Sequence, residues 1–263
     1  MSEHDHEEQS HELRSFGRRR GRKPSDRQAA LKRDLLPRVA LDLSLSPLGE
    51  GQGEGAVFNF EEHADFPSPL EGVPPSVAAP QLPLEGEGKP LWLEIGFGGG
   101  EHLVAEALAF PDTGFIGCEP YVNGMAKILT QIEAHNIANI RLFAGDAVEL
   151  LAWVPPRSLA RIDLIHPDPW PKRRHWKRRF VQDATVAAMA RAIRPGGEFR
   201  FVSDIDDYSA WTLAHFQRAD DFVWTAERAG DWNAPWPGFT KTRYGAKAER
   251  EGRRATYLAF RRR

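Results

Sequence analysis

From Leu91 to the end of the chain, short apolar runs alternate with stretches whose apolar residues recur at helical spacing. Leu91–Ile95, residues 114–119, Ile140–Phe143 and residues 162–165 each stop at a turn signal and read as buried strands. Between them Glu101–Ala109, Val122–His135 and Ala147–Trp153 are predicted helices. A helix is also predicted over residues 177–193, with Val181, Ala184, Ala188, Met189 and Ala192 on one face, stopped by Arg194-Pro195-Gly196-Gly197. Residues 198–202 read as a fifth strand and 208–217 as a helix; Phe222–Trp224 and residues 256–260 read as closing strands. Strands that alternate with helices imply an α/β fold with a doubly wound, mostly parallel sheet of seven strands. Ligands of such sheets sit at the carboxyl ends of the strands, where the strand order reverses.

Before Leu91 the texture differs. Residues 1–12 mix acids with histidines and show no periodicity, so they are expected to be a solvated tail; His4, His6 and His11 form only a weak metal-like spacing. Residues 14–23 are a basic arm around Phe16, and a short amphipathic helix is predicted over 26–36, ending before Pro37. Residues 45–90 are rich in Gly, Pro and Glu and read as a poorly ordered insertion in which only Val57-Phe58-Asn59-Phe60 packs. The chain therefore divides into a tail and arm (1–44), an insertion (45–90) and a single α/β domain (91–263).

Composition narrows this picture. With 263 residues and 41% hydrophobic content, the chain supports a sizeable core, concentrated after Lys89. No run approaches the roughly twenty apolar residues a membrane span needs, and no apolar segment near the start suits secretion. Cys118 is the one cysteine, so no disulfide forms within the chain; it reads as a small buried strand residue, and a cytoplasmic location is expected. A net charge of -2 does not by itself indicate nucleic acid. The cations cluster while the acids are spread out, and that distribution matters more.

The densest cluster follows the fourth strand: His166-Pro167-Asp168-Pro169-Trp170-Pro171-Lys172-Arg173-Arg174-His175-Trp176-Lys177-Arg178-Arg179. Three prolines surround one acid and one indole. Proline fixes φ and removes a backbone donor, so the turn is expected to be stiff and to aim Asp168 and Trp170 in set directions. A carboxylate and a ring at a strand end, beside cations, suit chemistry on an aromatic ring carried by a polyanion. A rigid loop with a solvated charged rim is the plain alternative, but the coincidence of acid, ring and charge favours function. Trp170 suits either stacking on a ligand or packing in the core.

The other strand ends carry acids too. Gly96-Phe97-Gly98-Gly99-Gly100 follows the first strand, where glycines let the backbone turn sharply and approach a ligand. Glu119 ends the second strand, about twenty residues on, where an acid accepts ribose hydroxyls. Asp146 follows the third strand and Glu94 lies near the end of the first. Each acid alone could be solvated; together with Asp168 they put four on or near one edge. A dinucleotide favours helix-terminal amides and basic residues for its pyrophosphate. This acidic rim better suits hydroxyls, an exocyclic amine and positive charge, which describes S-adenosylmethionine.

Leu93-Glu94-Ile95-Gly96-Phe97-Gly98-Gly99-Gly100, Gly117-Cys118-Glu119, Gly145-Asp146-Ala147 and Pro167-Asp168-Pro169-Trp170-Pro171-Lys172-Arg173-Arg174-His175 together resemble the bacterial tRNA (guanine-N7-)-methyltransferase family. The resemblance runs from Leu91 to the end and, more weakly, over 14–22 and 28–37. The Pro-Asp-Pro-Trp-Pro-Lys run is its specific part, since the cofactor motifs alone indicate only a class I methyltransferase. It implies a Rossmann-like fold, S-adenosylmethionine as cofactor and tRNA as partner; the sequence itself shows no metal site, no membrane association and no obligate protein partner. Glu94, Gly96, Gly98, Glu119, Asp146 and Asp168 match its cofactor site, and Asp168 also its active-site residue. Lys172, Asp204, Arg174, His175, Trp176, Lys177, Arg178 and Arg179 match substrate and tRNA contacts. Thr242, Arg243, Tyr244 and Gly245 match a C-terminal substrate motif, with glycine where the family carries an acid; Glu249 is one turn further on.

Two rivals follow from the same residues. An amino-methyltransferase acting on adenine or cytosine also places an acid or amide, prolines and an aromatic after the fourth strand, but without the displaced second proline and the basic run seen here. A non-catalytic RNA-binding protein of the same fold would not need acids on four strand ends.

Overall fold

The computed structural model describes residues 21–43 and 89–263. The His-rich tail, most of the basic arm and the insertion, with Val57-Phe58-Asn59-Phe60, lie outside the described residues. β1 (Leu91–Ile95), β2 (Gly114–Cys118), β3 (Ile140–Phe143), β4 (Leu159–Ile165) and β5 (Ile193–Ser203) are parallel. β6 (Phe222–Trp224) and β7 (Thr256–Arg262) complete the sheet, β7 lying antiparallel between β5 and β6. The order is β3-β2-β1-β4-β5-β7-β6. It reverses between β1 and β4, so the ligand crevice opens at the carboxyl ends of those two strands.

Alternation in β1 divides the two faces. Leu91, Leu93 and Ile95 join a core with α5 (Ala147–Trp153), α6 (Asp183–Ala192) and α7 (Asp206–Gln217). Trp92 faces a second core built with α3 (Glu101–Ala109) and α4 (Val122–His135). Each large apolar side chain buried there contributes about 1.5–3 kcal/mol. α8 (Gly230–Asn233) and α9 (Arg243–Arg250) lie between β6 and β7 in the chain. Among the described residues no helix is long and apolar enough to cross a membrane.

The segment before the insertion packs onto this domain. Ser25 and Gln28 form a capping box that starts α1 (Asp26–Asp34), and Leu31 buries into the core shared with α4. The predicted helix stops earlier than expected, and Pro37 instead sits in the first turn of α2 (Leu36–Val39), where its missing N–H is not needed. Ala40 then pairs with Leu142, and Leu41 N donates to the Leu142 carbonyl at 2.8 Å, extending the sheet beyond β3.

The predicted helix over 177–193 is corrected. Arg173–Arg178 form a 3₁₀ helix, the next residues are extended, and α6 begins only at Asp183. Side chains, one of them from α7, take up the backbone donors and acceptors that a longer helix would use. The Tyr208 hydroxyl accepts from Phe180 N at 3.0 Å and Val181 N at 3.4 Å, and Gln182 N donates to Thr185 Oγ1 at 3.0 Å. Gln182 Nε2 donates to the Trp176 and Arg179 carbonyls at 2.9 and 3.1 Å. The buried face is Thr185, Val186, Met189, Ala190 and Ala192, while Ala184 is exposed. The stop after Ala192 holds, but Arg194-Pro195-Gly196-Gly197 belongs to β5, beside an irregularity in its pairing with β4 between Leu159 and Arg161.

Candidate active site

The loop after β1 depends on glycine. Gly96 and Gly98 take φ of 72° and 58°, a left-handed conformation that a Cβ disfavours. In α4 an added Cβ at Gly124 would lie 2.2 Å from the Gly98 carbonyl oxygen, so only glycine lets that helix start against the loop. Glu119 ties the loop to the end of β2. Its carboxylate accepts from Gly98 N and from Tyr121 N, each at 2.8 Å, and every carboxylate oxygen has a further lone pair to offer. Burial raises the Glu119 pKa; the two backbone donors pull against that, and the nearby Asp168 and Glu94 carboxylates raise it further. Carboxylates that repel one another across a crevice favour a cation between them. Asp146 caps α5, accepting from Val148 N at 2.9 Å.

Glu94 sits deeper than the other acids. It is 4% exposed, faces α3 one position before the end of β1, and places Oε2 2.9 Å from His102 Nδ1. The network continues through the layer: His102 Nε2 lies 3.9 Å from Glu106, Arg161 Nη2 2.5 Å from Glu106, and Arg161 Nη2 2.8 Å from Asp163. The Arg161 guanidinium also stacks 3.5 Å over the Trp92 ring. Burial pushes Glu94 up. Burial alone would lower His102, but Glu94, Asp163 and Glu106 outweigh it and raise its pKa to about 9. The sequence reading missed this cluster, although its signal is present. Arg161 and Asp163 alternate on one face of β4, and His102 and Glu106 are one helical turn apart.

The turn after β4 is strained. His166 and Trp170 take φ of 49° and 44°, bracketing Pro167-Asp168-Pro169 in a region that costs non-glycine residues on the order of 1–3 kcal/mol each. Surrounding contacts hold it. His166 N donates to the Val202 carbonyl at 2.8 Å, and His166 Nδ1 lies 3.2 Å from Asp204 Oδ1. Partial burial opposes the Asp204 charge, but Arg253 Nε at 2.7 Å and His166 outweigh it and hold its carboxyl below the usual range. An ionised carboxylate only accepts, so His166 Nδ1 carries the proton; burial lowers the pKa of that ring. Its Nε2 faces α9, where a Cβ at Gly245 would lie 3.1 Å away. A residue larger than glycine at position 245 would therefore press on the His166 ring. Glu249 pairs instead with Lys241 at 2.7 Å.

Thr242 caps α9, its hydroxyl accepting from Gly245 N at 3.2 Å. Arg243 and Tyr244 come onto the glycine loop. A Cβ at Gly98 would lie 3.7 Å from the Tyr244 ring and 3.8 Å from Arg243 Nη2, and Arg243 Nε is 3.4 Å from Glu101 Oε1. The fold therefore unites the C-terminal motif with the glycine loop after β1. Asp168 stands apart from the paired acids. It is exposed, accepts no hydrogen bond among the described residues, and is raised above its ordinary pKa by the protein that displaces water from it.

The basic run separates into two kinds of residue. Lys172, Arg174 and Lys177 are exposed. Arg178 is half-buried, its guanidinium 5.0 Å over the Trp170 ring, and His175 meets that ring edge-on at 5.9 Å. Desolvation, then Arg178, Arg174 and Lys172, lower the His175 pKa, so the ring is neutral at pH 7. Trp176 packs edge-on against Trp211 at 5.4 Å. The sequence groups Arg179 with the phosphate-binding cations, and its burial removes it from that set. Its side chain is 0% exposed, donates from Nε to the Pro169 carbonyl at 3.0 Å and pairs with Asp207.

Residues 88–258 match a family model described as a putative methyltransferase. The tRNA (guanine-N(7)-)-methyltransferase of Nitrobacter hamburgensis is 64% identical over 247 residues, 94% of this chain and 86% of that one. A protein of the same name from Rhodopseudomonas palustris is 63% identical over 94% of this chain and 87% of its own length. A third, from Bradyrhizobium diazoefficiens, is 61% identical over 94% and 92%. Likeness at this level over nearly the whole length, with the Pro-Asp-Pro-Trp turn set among acid-bearing strand ends, places the chain in the bacterial tRNA (guanine-N7-)-methyltransferase family.

Proposed function

We propose that this chain transfers a methyl group from S-adenosylmethionine to N7 of a guanine in tRNA, giving 7-methylguanosine, in the cytoplasm. The observation that carries the reading is the strained turn. It holds an unpartnered carboxylate, Asp168, between an acid-lined crevice and a row of exposed cations. S-adenosylmethionine supplies, when bound, a methyl group on a cationic sulfur. The residues present fit it: Glu119 would hold the ribose hydroxyls, Asp146 an exocyclic amine, and the loop at Gly96 and Gly98 the amino-acid end, with Glu94 behind them. Guanine N7 carries a lone pair and no proton, so transfer needs in-line placement rather than a general base. As the N7–carbon bond forms and the sulfur–carbon bond breaks, positive charge passes to the ring, and Asp168 offers the negative potential that stabilises it.

A-form grooves hide N7, so the reading requires an accessible or loosened region of a folded tRNA. Nucleoside mass spectrometry of tRNA incubated with the protein and labelled cofactor tests the chemistry. Label in 7-methylguanosine is the expected result. Label on an exocyclic amine of adenine or cytosine would replace the reading with an amino-methyltransferase, and cofactor binding without transfer would leave a binding protein.

The cations of the basic run make a separate expectation. Replacing Arg174, Lys177 and Arg178 together by alanine should weaken tRNA binding and flatten its dependence on log salt by about 0.7–0.9 for each phosphate no longer neutralised. Cofactor affinity should stay as it is. A triple variant with the wild-type salt slope would show these side chains to be a solvated surface.

A further inference from the structure

We infer that Arg179 is a positioning residue for methyl transfer, holding the Pro169–Trp170 peptide in the orientation that aims the Asp168 carboxylate. This rests on the proposed role of Asp168 and adds to it a residue that the sequence cannot distinguish from its cationic neighbours.

Arginine is almost never fully buried unless its donors are satisfied. Here every side of the guanidinium is occupied. Nε donates to the Pro169 carbonyl at 3.0 Å, Nη2 pairs with the Asp207 carboxylate, and Nη1 reaches the Asp207 carbonyl at 3.5 Å. Trp176 and Tyr208 have their rings 4.9 Å from its central carbon, and Trp211 has its ring at 5.2 Å. Trp176 belongs to the 3₁₀ helix, and Tyr208 and Trp211 belong to α7. The cation therefore locks the motif turn and the basic helix onto one rigid element. No phosphate can reach it.

The consequence for Asp168 follows from backbone geometry. Rotating the Pro169–Trp170 peptide changes the φ of Trp170 and turns the Pro169 carbonyl together. Trp170 is held at φ 44°, which a flipped peptide would relax. A charge-assisted hydrogen bond to that carbonyl is of the right size to oppose the flip. Both neighbours of Asp168 are proline, so few rotations remain between the two anchors. One anchor is His166, bonded to Val202 and Asp204; the other is the Pro169 carbonyl on Arg179. With both in place the carboxylate is fixed although no hydrogen bond reaches it among the described residues.

The test uses the full chain carrying Arg179→Lys, with wild-type formation of 7-methylguanosine established first so that failure of the functional reading is seen separately. Lysine keeps the charge but cannot bond Pro169 and Asp207 in one plane. Turnover is expected to fall about a hundredfold, as for a reacting group displaced by about 1 Å. KM for tRNA and cofactor affinity should change far less than turnover, and the salt slope of tRNA binding should not fall by the amount expected for one phosphate. Adding Arg179→Lys to Asp168→Asn should cost little further rate, because both changes remove the same interaction. If Arg179→Lys does not fold, Asp207→Asn, at a side chain 54% exposed, loosens the same guanidinium and carries the same comparison. A salt slope reduced by the amount expected for one phosphate, with turnover retained, would overturn the inference, as would rate losses that multiply in the double variant.

Discussion

Asp168→Asn is expected to lower the rate of methyl transfer about a hundredfold to a thousandfold while leaving the fold and tRNA affinity intact. Asparagine matches the shape of aspartate and removes only the charge. The charge is what the reaction uses, because N7 starts neutral and ends in a cationic ring, and no proton has to be taken away. His166 is the nearest histidine in the chain, but it is not available as a base. Its Nδ1 proton is engaged with Asp204, and Nε2 is turned to Gly245. Asp204 is itself committed to His166 and Arg253. On the proposed mechanism Asp168, held between prolines and strained residues, would face the ring without reorganising. A pH signature accompanies the rate. The protein raises the Asp168 pKa, so wild-type activity should fall on acidification from a higher pH than an ordinary aspartate would cause, and the asparagine variant should lack that limb. Single-turnover rates at saturating tRNA across acidic pH check both statements; wild-type turnover in the variant would remove Asp168 from the mechanism.

Arg161→Met should destabilise the protein by about 3–5 kcal/mol, the usual consequence of leaving buried charges without their partner. Methionine keeps the contact with Trp92, so the effect reports charge rather than packing. Glu106 and Asp163 are both buried and both bonded to this guanidinium, and Glu94 and His102 adjoin them. For a domain of this size the midpoint of thermal unfolding should drop by roughly 6–20 °C. Adding Glu106→Gln and Asp163→Asn should recover most of the loss, since amides can stay buried without a counter-ion. Equal stability of Arg161→Met and wild type would show that the cluster is not ionised. The cluster also sets a slope with pH. His102 has a folded pKa of about 9 against an ordinary 6.5, so its stabilisation is fully present below about 6.5 and is lost as pH rises through 9.

The sequence by itself determined the strands and most helices. Period and turn residues are local properties, and β1, β3, α3, α4 and α5 begin and end where the pattern places them. It also determined that acids gather at the carboxyl edge and that one proline-bound carboxylate meets a basic run, because a parallel sheet brings successive strand ends together whatever their loops do. Only the tertiary structure decided what each charge is for. Arg174 and Arg179 are the same residue type a few positions apart. One is exposed, while the other is enclosed by rings and a carbonyl supplied by α7 and the motif turn. Glu94 is the next-to-last residue of β1 and Glu119 directly follows β2, yet pleating turns Glu94 inward to a histidine on α3 and leaves Glu119 on the glycine loop. The helix over 177–193 failed for the same reason. Its pattern was sound, but the Tyr208 hydroxyl, distant in sequence, takes the backbone donors the first turns required. A side chain's chemistry is written in the chain, but whether water, a ligand or another side chain meets it depends on partners that only folding brings within a few ångströms.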